Sequence, residues 1–508
     1  MHRNLLFALT TAGAAAQTSI PDSGLTYVLA DVAVIPDSGT GQNAPPRVSV
    51  VTQDPAGRLF VSDQRGPLYR VDEATGGVTE FLDLRDYPAI PVVSGNEPGF
   101  QSFAFHPDFA NAGADGHGRF YTVHSCGNTT PTPDFDTPGS AGFHTLVLEW
   151  ETDDATAPTF TPANPSAPFR ELLRLDQPYN NHNAGLAAFH PLAAPGTAEY
   201  GLLHIAIGDG GSGNDPQNNA QTASNPFGAI LRIDPLGTDS ANGAYGVPPG
   251  NVFRMDGTAA TLGENFCIGL RNPQRFGWDI VTGDAYLADI GQDSFEEINR
   301  MSNGGNYGWD IHEGAGGSPT YLDPVAGYFH NTVFPGGFSE IGNRAVTCSD
   351  VARGTCIDGL EGMLLVADFP NGRVFRLHVD TDPLDGGVDG LSEVRFQQAG
   401  GTRKILLEII NAARSARGLG AATRTDVRFS VNTPGRIFVS NKRDGVLRRI
   451  VPDLEPEIVL ADDLGVTFTG ILQTSDDLQD WRDVLPQPPQ GGTLDGGAPR
   501  KFFRSVRK

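Results

Sequence analysis

Lysine is nearly missing from this chain, with four in 508 residues, and the formal net charge at pH 7 is −24. A surface this acidic repels nucleic acid and anionic membrane, so neither is an expected partner. Cysteine is equally scarce: the four present include no CxxC and no CxxCH, which leaves a zinc knuckle and a covalent c-type haem without support. No apolar run reaches the length of a membrane-spanning helix, so no membrane span is expected. Extended helical periodicity is also rare. Glycine (63) and proline (38) are abundant, and hydrophobic residues make up 39%. Such a chain buries a core and builds it from short strands joined by turns.

The N-terminal stretch MHRNLLFALTTAGAAAQTS has a basic start, a short apolar run and small residues ending at Ala16. That pattern predicts a secretory signal over residues 1–16, hence a secreted or periplasmic protein. Export makes disulfides the expected state of the cysteines. Cys348 and Cys356, close together in CSDVARGTC, suit a small loop staple, and Cys126 pairs with Cys267 by elimination.

One strand pattern recurs six times, at intervals of roughly 60 to 80 residues. The copies begin with RLFVSD at Arg58, GRFYTV at Gly118, GLLHIAIG at Gly201, GDAYLAD at Gly283, GMLLVAD at Gly362 and GRIFVS at Gly435. Each unit is long enough for a four-stranded antiparallel sheet that cannot cover both its faces alone. Radial stacking solves this, so the expectation is an all-β, six-bladed β-propeller over residues 17–455. A row of β-sandwich domains would need linkers, and no Ser/Pro-rich linker precedes about Pro452. Lys404–Leu419 has helical spacing and a Gly stop, which predicts an insertion between the last two units. Residues 456–508 read as a short β-rich C-terminal extension.

Several loops carry unusual side chains. His182, between Asn181 and Asn183, is either a hydrogen-bonded turn residue or a general base titrating near neutrality. In IGDGGSGNDPQNNAQ, Asp209 and Asp215 offer oxygen ligands for calcium, or an Asx-rich turn cluster. GLRNPQRFGWD concentrates Arg271, Asn272 and Arg275 around Pro273 in an acidic chain, which is either a bend with paired arginines or a surface for something flat and anionic.

Taken in order, NEPGFQSFAFHPDF (Asn96–Phe109), NHNAG (Asn181–Gly185), GDGGSGNDPQNNAQ (Gly208–Gln221), GLRNPQRF (Gly269–Phe276), IGQDSFEEIN (Ile290–Asn299), GGNYGW (Gly304–Trp309) and ADFPNGRVF (Ala367–Phe375) resemble the soluble PQQ-dependent sugar dehydrogenases, the glucose/sorbosone dehydrogenase family. PQQ is a flat ortho-quinone tricarboxylate. The resemblance implies His182 as catalytic base, with Arg271 and Asn272 contacting the cofactor and Arg271 also polarising the quinone. It implies that the carbonyls of Gly291 and Gln292 hold Ca²⁺, and it gives Arg275 and Trp278 to the strand that follows. Glu97, Asn181 and Gln221 fall on the substrate side. Glu97 stands where the glucose enzymes carry Gln, and Asn181 where they carry Asp. Arg424 in TRTDV lies where the family places closely spaced arginines, and Lys442 is the stand-in for its cofactor lysine.

The activity implied is oxidation of an aldose at the anomeric carbon by hydride transfer to PQQ, with electrons passed to an external acceptor. Two other functions share this fold: a ligand-binding propeller without redox chemistry and a calcium-dependent hydrolase or lactonase.

Overall fold

The structure is a computed structural model describing residues 19–452, except 41–43, 259, 317–318, 336–343, 380–389 and 431–434, and beyond 452 only the backbone of short strands. The expected signal, residues 1–16, lies outside the described residues.

After β1 (Asp22–Val34), the chain forms a meander of β2 (Val48–Gln53), β3 (Leu59–Asp63), β4 (Pro67–Asp72) and β5 (Gly77–Asp83). A second meander holds β6 (Phe100–Phe105), β7 (Arg119–Cys126), β8 (His144–Glu151) and β9 (Phe169–Asp176). The third has β10 (Ala184–Phe189), β11 (Leu203–Ile207), β12 (Ala229–Ile233) and β13 (Asn265–Cys267). The fourth has β14 (Arg275–Trp278), β15 (Ala285–Asp289), β16 (Phe295–Arg300) and β17 (Ala326–Phe329).

The remaining strands are β18 (Val346–Val351), β19 (Met363–Asp368), β20 (Arg373–His378), β21 (Ser392–Gln398), β22 (Arg428–Phe429), β23 (Phe438–Ser440) and β24 (Val446–Val451). They make one eight-stranded sheet in the order β18-β19-β20-β21-β1-β24-β23-β22. Within it β1 runs parallel to β21 and antiparallel to β24, stitching the start of the chain to its end. The first strands of the meanders pack in sequence, β2 on β6, β6 on β10, β10 on β14, β14 on β18, β18 on β22 and β22 back on β2. The architecture is all-β and propeller-like. Each sequence repeat lands on a second strand (β3, β7, β11, β15, β19, β23), directly behind that inner ring.

Antiparallel strands facing water on one side alternate apolar and polar, but these sheets are covered on both faces. Accordingly β8 is buried at every position from His144 to Trp150, and β10 along its full length. Between the first two meanders the filling is aromatic, with Phe60 and Phe105 at 4.6 Å and Phe81 and Phe120 at 5.6 Å between ring centroids. The expected helix forms at Leu406–Ala416 between β21 and β22, burying Leu406, Ile409 and Ile410. After residue 452 the backbone makes two three-stranded sheets. Among the described residues, no helix is long and apolar enough to cross a membrane.

The disulfide expectations are corrected. Cys348 lies within β18 and its Sγ faces the neighbouring sheet, 3.7 Å from the carbonyls of Arg275 and Tyr286. Cys356 lies in the irregular segment beyond that strand, and no disulfide joins the two. Cys126 turns its thiol to the Asn128 carbonyl and is not bonded to Cys267. Short separation in sequence was misleading because Cys348 is held in β18, which runs on to Val351.

Two buried histidines each contribute stability that acid removes. Burial pulls the His204 imidazole down to about 3 and that of His124 to about 4. In the unfolded chain both titrate near 6.5. The unfolded state therefore binds protons first, and stability present above pH 6.5 is lost as pH falls towards 3. The His204 ring lies 5.3 Å from Phe266 and 5.8 Å from Trp278, a site that suits a phenyl ring. His204→Phe is expected to reduce the stability lost between pH 7 and 5 by about 2 kcal/mol. Equal losses in denaturant titrations of variant and wild type would contradict this.

Candidate active site

The loops at one end of the inner ring bring the sequence motifs together. His182 sits at the entry to β10 with φ of 51°, in the left-handed region that histidine seldom adopts. Two carboxylates hold it there. Glu97 Oε2 accepts its backbone N–H at 2.8 Å, and Asp209 Oδ1 lies 2.8 Å from its Nδ1. Gly208 is needed alongside, because a Cβ there would stand 2.4 Å from the His182 carbonyl oxygen.

Asp209 is itself fixed, accepting from Gly211 N and from Trp309 Nε1, each at 2.8 Å. A proton on Nδ1 would be donated to Asp209 and would leave Nε2 as the ring nitrogen open to a substrate. His182 is buried but for about 4% of its surface, so it is not a solvated turn residue.

Asp289, at the end of β15, accepts the backbone N–H groups of Arg271 at 2.9 Å and Asn272 at 2.7 Å, fixing the turn through Pro273. Arg271 lies over the Trp309 ring, 5.4 Å from its centroid. Its Nη1 donates to the carbonyls of Ile290 and Gly291, both at 2.9 Å, so two backbone oxygens converge on one cation. Asn272 Nδ2 reaches Glu97 Oε2 at 3.3 Å, which ties the 97, 182 and 272 segments into one assembly. Arg275 and Trp278 serve β14, the former donating to the Ser49 carbonyl.

Other candidates fall at the margins. Asn181 accepts from Ser212 N at 3.2 Å. Gln221 is engaged at both ends of its amide by Asn306, and it also donates to the Trp309 carbonyl. The Gln292 side chain clasps Asn214 through two hydrogen bonds, of 2.6 and 2.7 Å. Asp215 binds Ala220 N through Oδ2, and burial raises its carboxyl to about 6. Among the described residues, no three His, Cys, Asp or Glu side chains gather to hold a metal. Both Asp209 oxygens are engaged, Oδ1 by His182 and Gly211 and Oδ2 by Trp309.

A buried cationic cluster faces this assembly. Lys442 is drawn well below its ordinary pKa by burial and then by the charges of Arg428 and Arg47, opposed by Asp426. Arg428 packs over Phe369 at 4.4 Å and is lowered to about 10, also chiefly by burial. The buried Nε atoms of Arg47, Arg271 and Arg428 have no hydrogen-bond partner. Arg424, by contrast, keeps 44% of its side chain exposed and pairs with Asp426 at 2.6 Å. The sequence reading missed Arg47 and Arg428; the available signal was a cation at or just before an inner strand.

Residues 45–382 match the family model described as Glucose / Sorbosone dehydrogenase. The chain belongs to that family of sugar dehydrogenases. The chain is 30% identical over 339 residues to the HIPL1 protein of Arabidopsis thaliana, covering 56% of this chain and 46% of that protein. Identity to the HIPL2 protein of the same plant is 27%, over 56% of this chain and 43% of that protein. This chain thus spans less than half the length of those curated relatives. Among solved structures, it resembles the PQQ-bound form of aldose sugar dehydrogenase from Streptomyces coelicolor, at 19% identity and a TM-score of 0.52, covering 85% of this chain and 99% of that one. It also resembles a putative oxidoreductase (glucose dehydrogenase) from Thermus thermophilus, at 20% identity and a TM-score of 0.53, covering 84% and 100%. At these identities the likeness is one of fold.

Proposed function

We propose that this family member is a secreted or periplasmic PQQ-dependent dehydrogenase that oxidises an aldose at its anomeric carbon and passes the electrons to an external acceptor. The same reading takes the four meanders and the two halves of the eight-stranded sheet as six blades around a central site. The observation that carries the chemistry is the Asp209–His182 pair beside Arg271, Asn272 and a buried cationic cluster.

The residues suit the cofactor. In a chain of net charge −24, the buried Nε atoms of Arg47, Arg271 and Arg428 lack a partner, which favours a planar polyanion able to accept from them. Arg271, Asn272, Arg428, Arg47 and Lys442 would hold PQQ, with Arg424 at the margin. The carbonyls of Gly291 and Gln292 would hold Ca²⁺. When bound, PQQ supplies a quinone that accepts hydride and Ca²⁺ a Lewis acid that polarises it.

His182 Nε2 then takes the proton of the anomeric hydroxyl, while the C1 hydrogen leaves with its electron pair and the aldose becomes a lactone. Asp209 stabilises the imidazolium formed, and Trp309 keeps Asp209 in place. Glu97 holds the backbone of the base rather than reacting. With Asn181 and Gln221 it borders the substrate side.

The test is spectroscopic. Protein mixed with PQQ and CaCl2 and then desalted is expected to retain the quinone absorbance. A panel of aldoses is then expected to bleach it, with turnover of an artificial dye. Protein that retains PQQ but reacts with no aldose would point to a binding propeller, and failure to retain PQQ would overturn the proposal.

A further inference from the structure

One carboxylate stands behind the loop that would carry the metal. Glu313, half-buried four residues after Trp309, offers a single oxygen to four successive backbone N–H groups. Its Oε1 accepts from Gln292 at 2.6 Å, Asp293 at 3.0 Å, Ser294 at 3.0 Å and Phe295 at 3.2 Å. Gly291 makes so tight a turn possible, because a Cβ there would lie 1.8 Å from the Phe295 carbonyl oxygen.

The first two of those N–H groups have a particular significance. The N–H of Gln292 and the carbonyl of Gly291 belong to one peptide unit; the N–H of Asp293 and the carbonyl of Gln292 belong to the next. Glu313 therefore binds the donor ends of the two peptides whose acceptor ends are assigned to Ca²⁺. A hydrogen bond donated by a peptide N–H, more so to an anion, polarises the unit and enriches its carbonyl oxygen. Behind the same turn, Glu296 Oε2 lies 3.4 Å from the Gly291 N–H. On the opposite side the Gly291 oxygen already faces a positive charge, Arg271 Nη1 at 2.9 Å.

We propose that Glu313 is a positioning residue that orients and polarises the Gly291 and Gln292 carbonyls, setting the protein's affinity for calcium. This rests on the assignment of PQQ and Ca²⁺ to the site. Groups one bond behind a metal ligand commonly change metal affinity by about 10–100-fold. The role adds no atom to the reaction and leaves His182 and its partners untouched.

Full-length wild type and Glu313→Gln are each incubated with saturating PQQ across a CaCl2 series, and the PQQ retained after desalting is read by absorbance. The glutamine keeps the side-chain length but loses the charge. Its calcium midpoint is expected to rise about tenfold or more, while PQQ affinity at saturating calcium stays within about threefold of wild type. A loop that had merely collapsed would weaken both. A calcium midpoint within about twofold of wild type, or a parallel loss of PQQ affinity, overturns the proposal. Should Glu313→Gln not fold, Glu313→Ala is titrated with and without formate, which can occupy the four N–H groups. Formate is expected to lower the calcium midpoint, and no response to formate overturns the role. Wild type that retains no PQQ at any calcium concentration defeats the cofactor assignment itself, and that failure is visible before any variant is made.

Discussion

His182→Ala is expected to cut aldose-dependent dye reduction by about 10²–10⁴ while leaving PQQ retention and folding close to wild type. The size follows from what is lost, a base poised to accept the anomeric proton in the transition state. The retention follows from geometry, because the groups assigned to the cofactor hang from other segments: Arg271 and Asn272 from the turn fixed by Asp289, and Lys442 from the loop before β24. Alanine also removes the Asp209 partner, leaving a buried carboxylate still bound by Gly211 N and Trp309 Nε1. The thermal midpoint should therefore move by only a few degrees. The measurement is kcat alongside PQQ retention. Near wild-type turnover in a folded variant would remove His182 from the mechanism, and a joint collapse of stability and activity would make it a structural residue.

Lys442→Met is expected to act oppositely on stability and on binding. The two side chains are similar in length, and Lys442 is buried beside Arg428 and Arg47, with only 8% of its surface exposed. No ion pair within 4 Å neutralises it among the described residues. Replacing a poorly compensated buried charge by an apolar group is commonly neutral or stabilising, here by about 1 kcal/mol in the cofactor-free protein. PQQ affinity should fall by about 10–100-fold, the value of a lost hydrogen bond between charged groups. Thermal melts without cofactor and PQQ titrations by absorbance measure the two halves. An unchanged PQQ affinity would place Lys442 outside the site, and a large drop in melting temperature would make it structural.

The strand pattern was easy to read in the sequence because each copy has a turn residue followed by four or five strand formers, a local signal that survives without tertiary context. All six copies fall on second strands. His182, Arg271 and Asn272 were visible for a similar reason, as unusual residues in short, dense motifs. What stayed hidden depends on contacts distant in sequence. Asp209 stayed ambiguous between a calcium ligand and a turn residue because its partner His182 is 27 residues away. Glu313 lies outside every motif singled out, and its role exists only once four amides turn towards it. Arg47 and Arg428 are far apart in sequence and meet only when β22 packs on β2. The cysteine pair failed differently, since proximity in sequence was taken for proximity of thiols.

The placement of β1 has a consequence for biogenesis. This strand leaves the ribosome or the translocation pore long before β21 and β24 exist, yet those are its two neighbours in the sheet. Until they arrive, residues 22–34 present two open edges of hydrogen-bonding backbone, the kind of edge that recruits other chains. Ring closure is thus a late act of synthesis and joins segments separated by most of the chain, which favours slow maturation. Cutting the covalent chain between β1 and β2 and joining the old ends would place that strand beside its partners in order of synthesis. A permuted protein of this kind should mature faster and aggregate less.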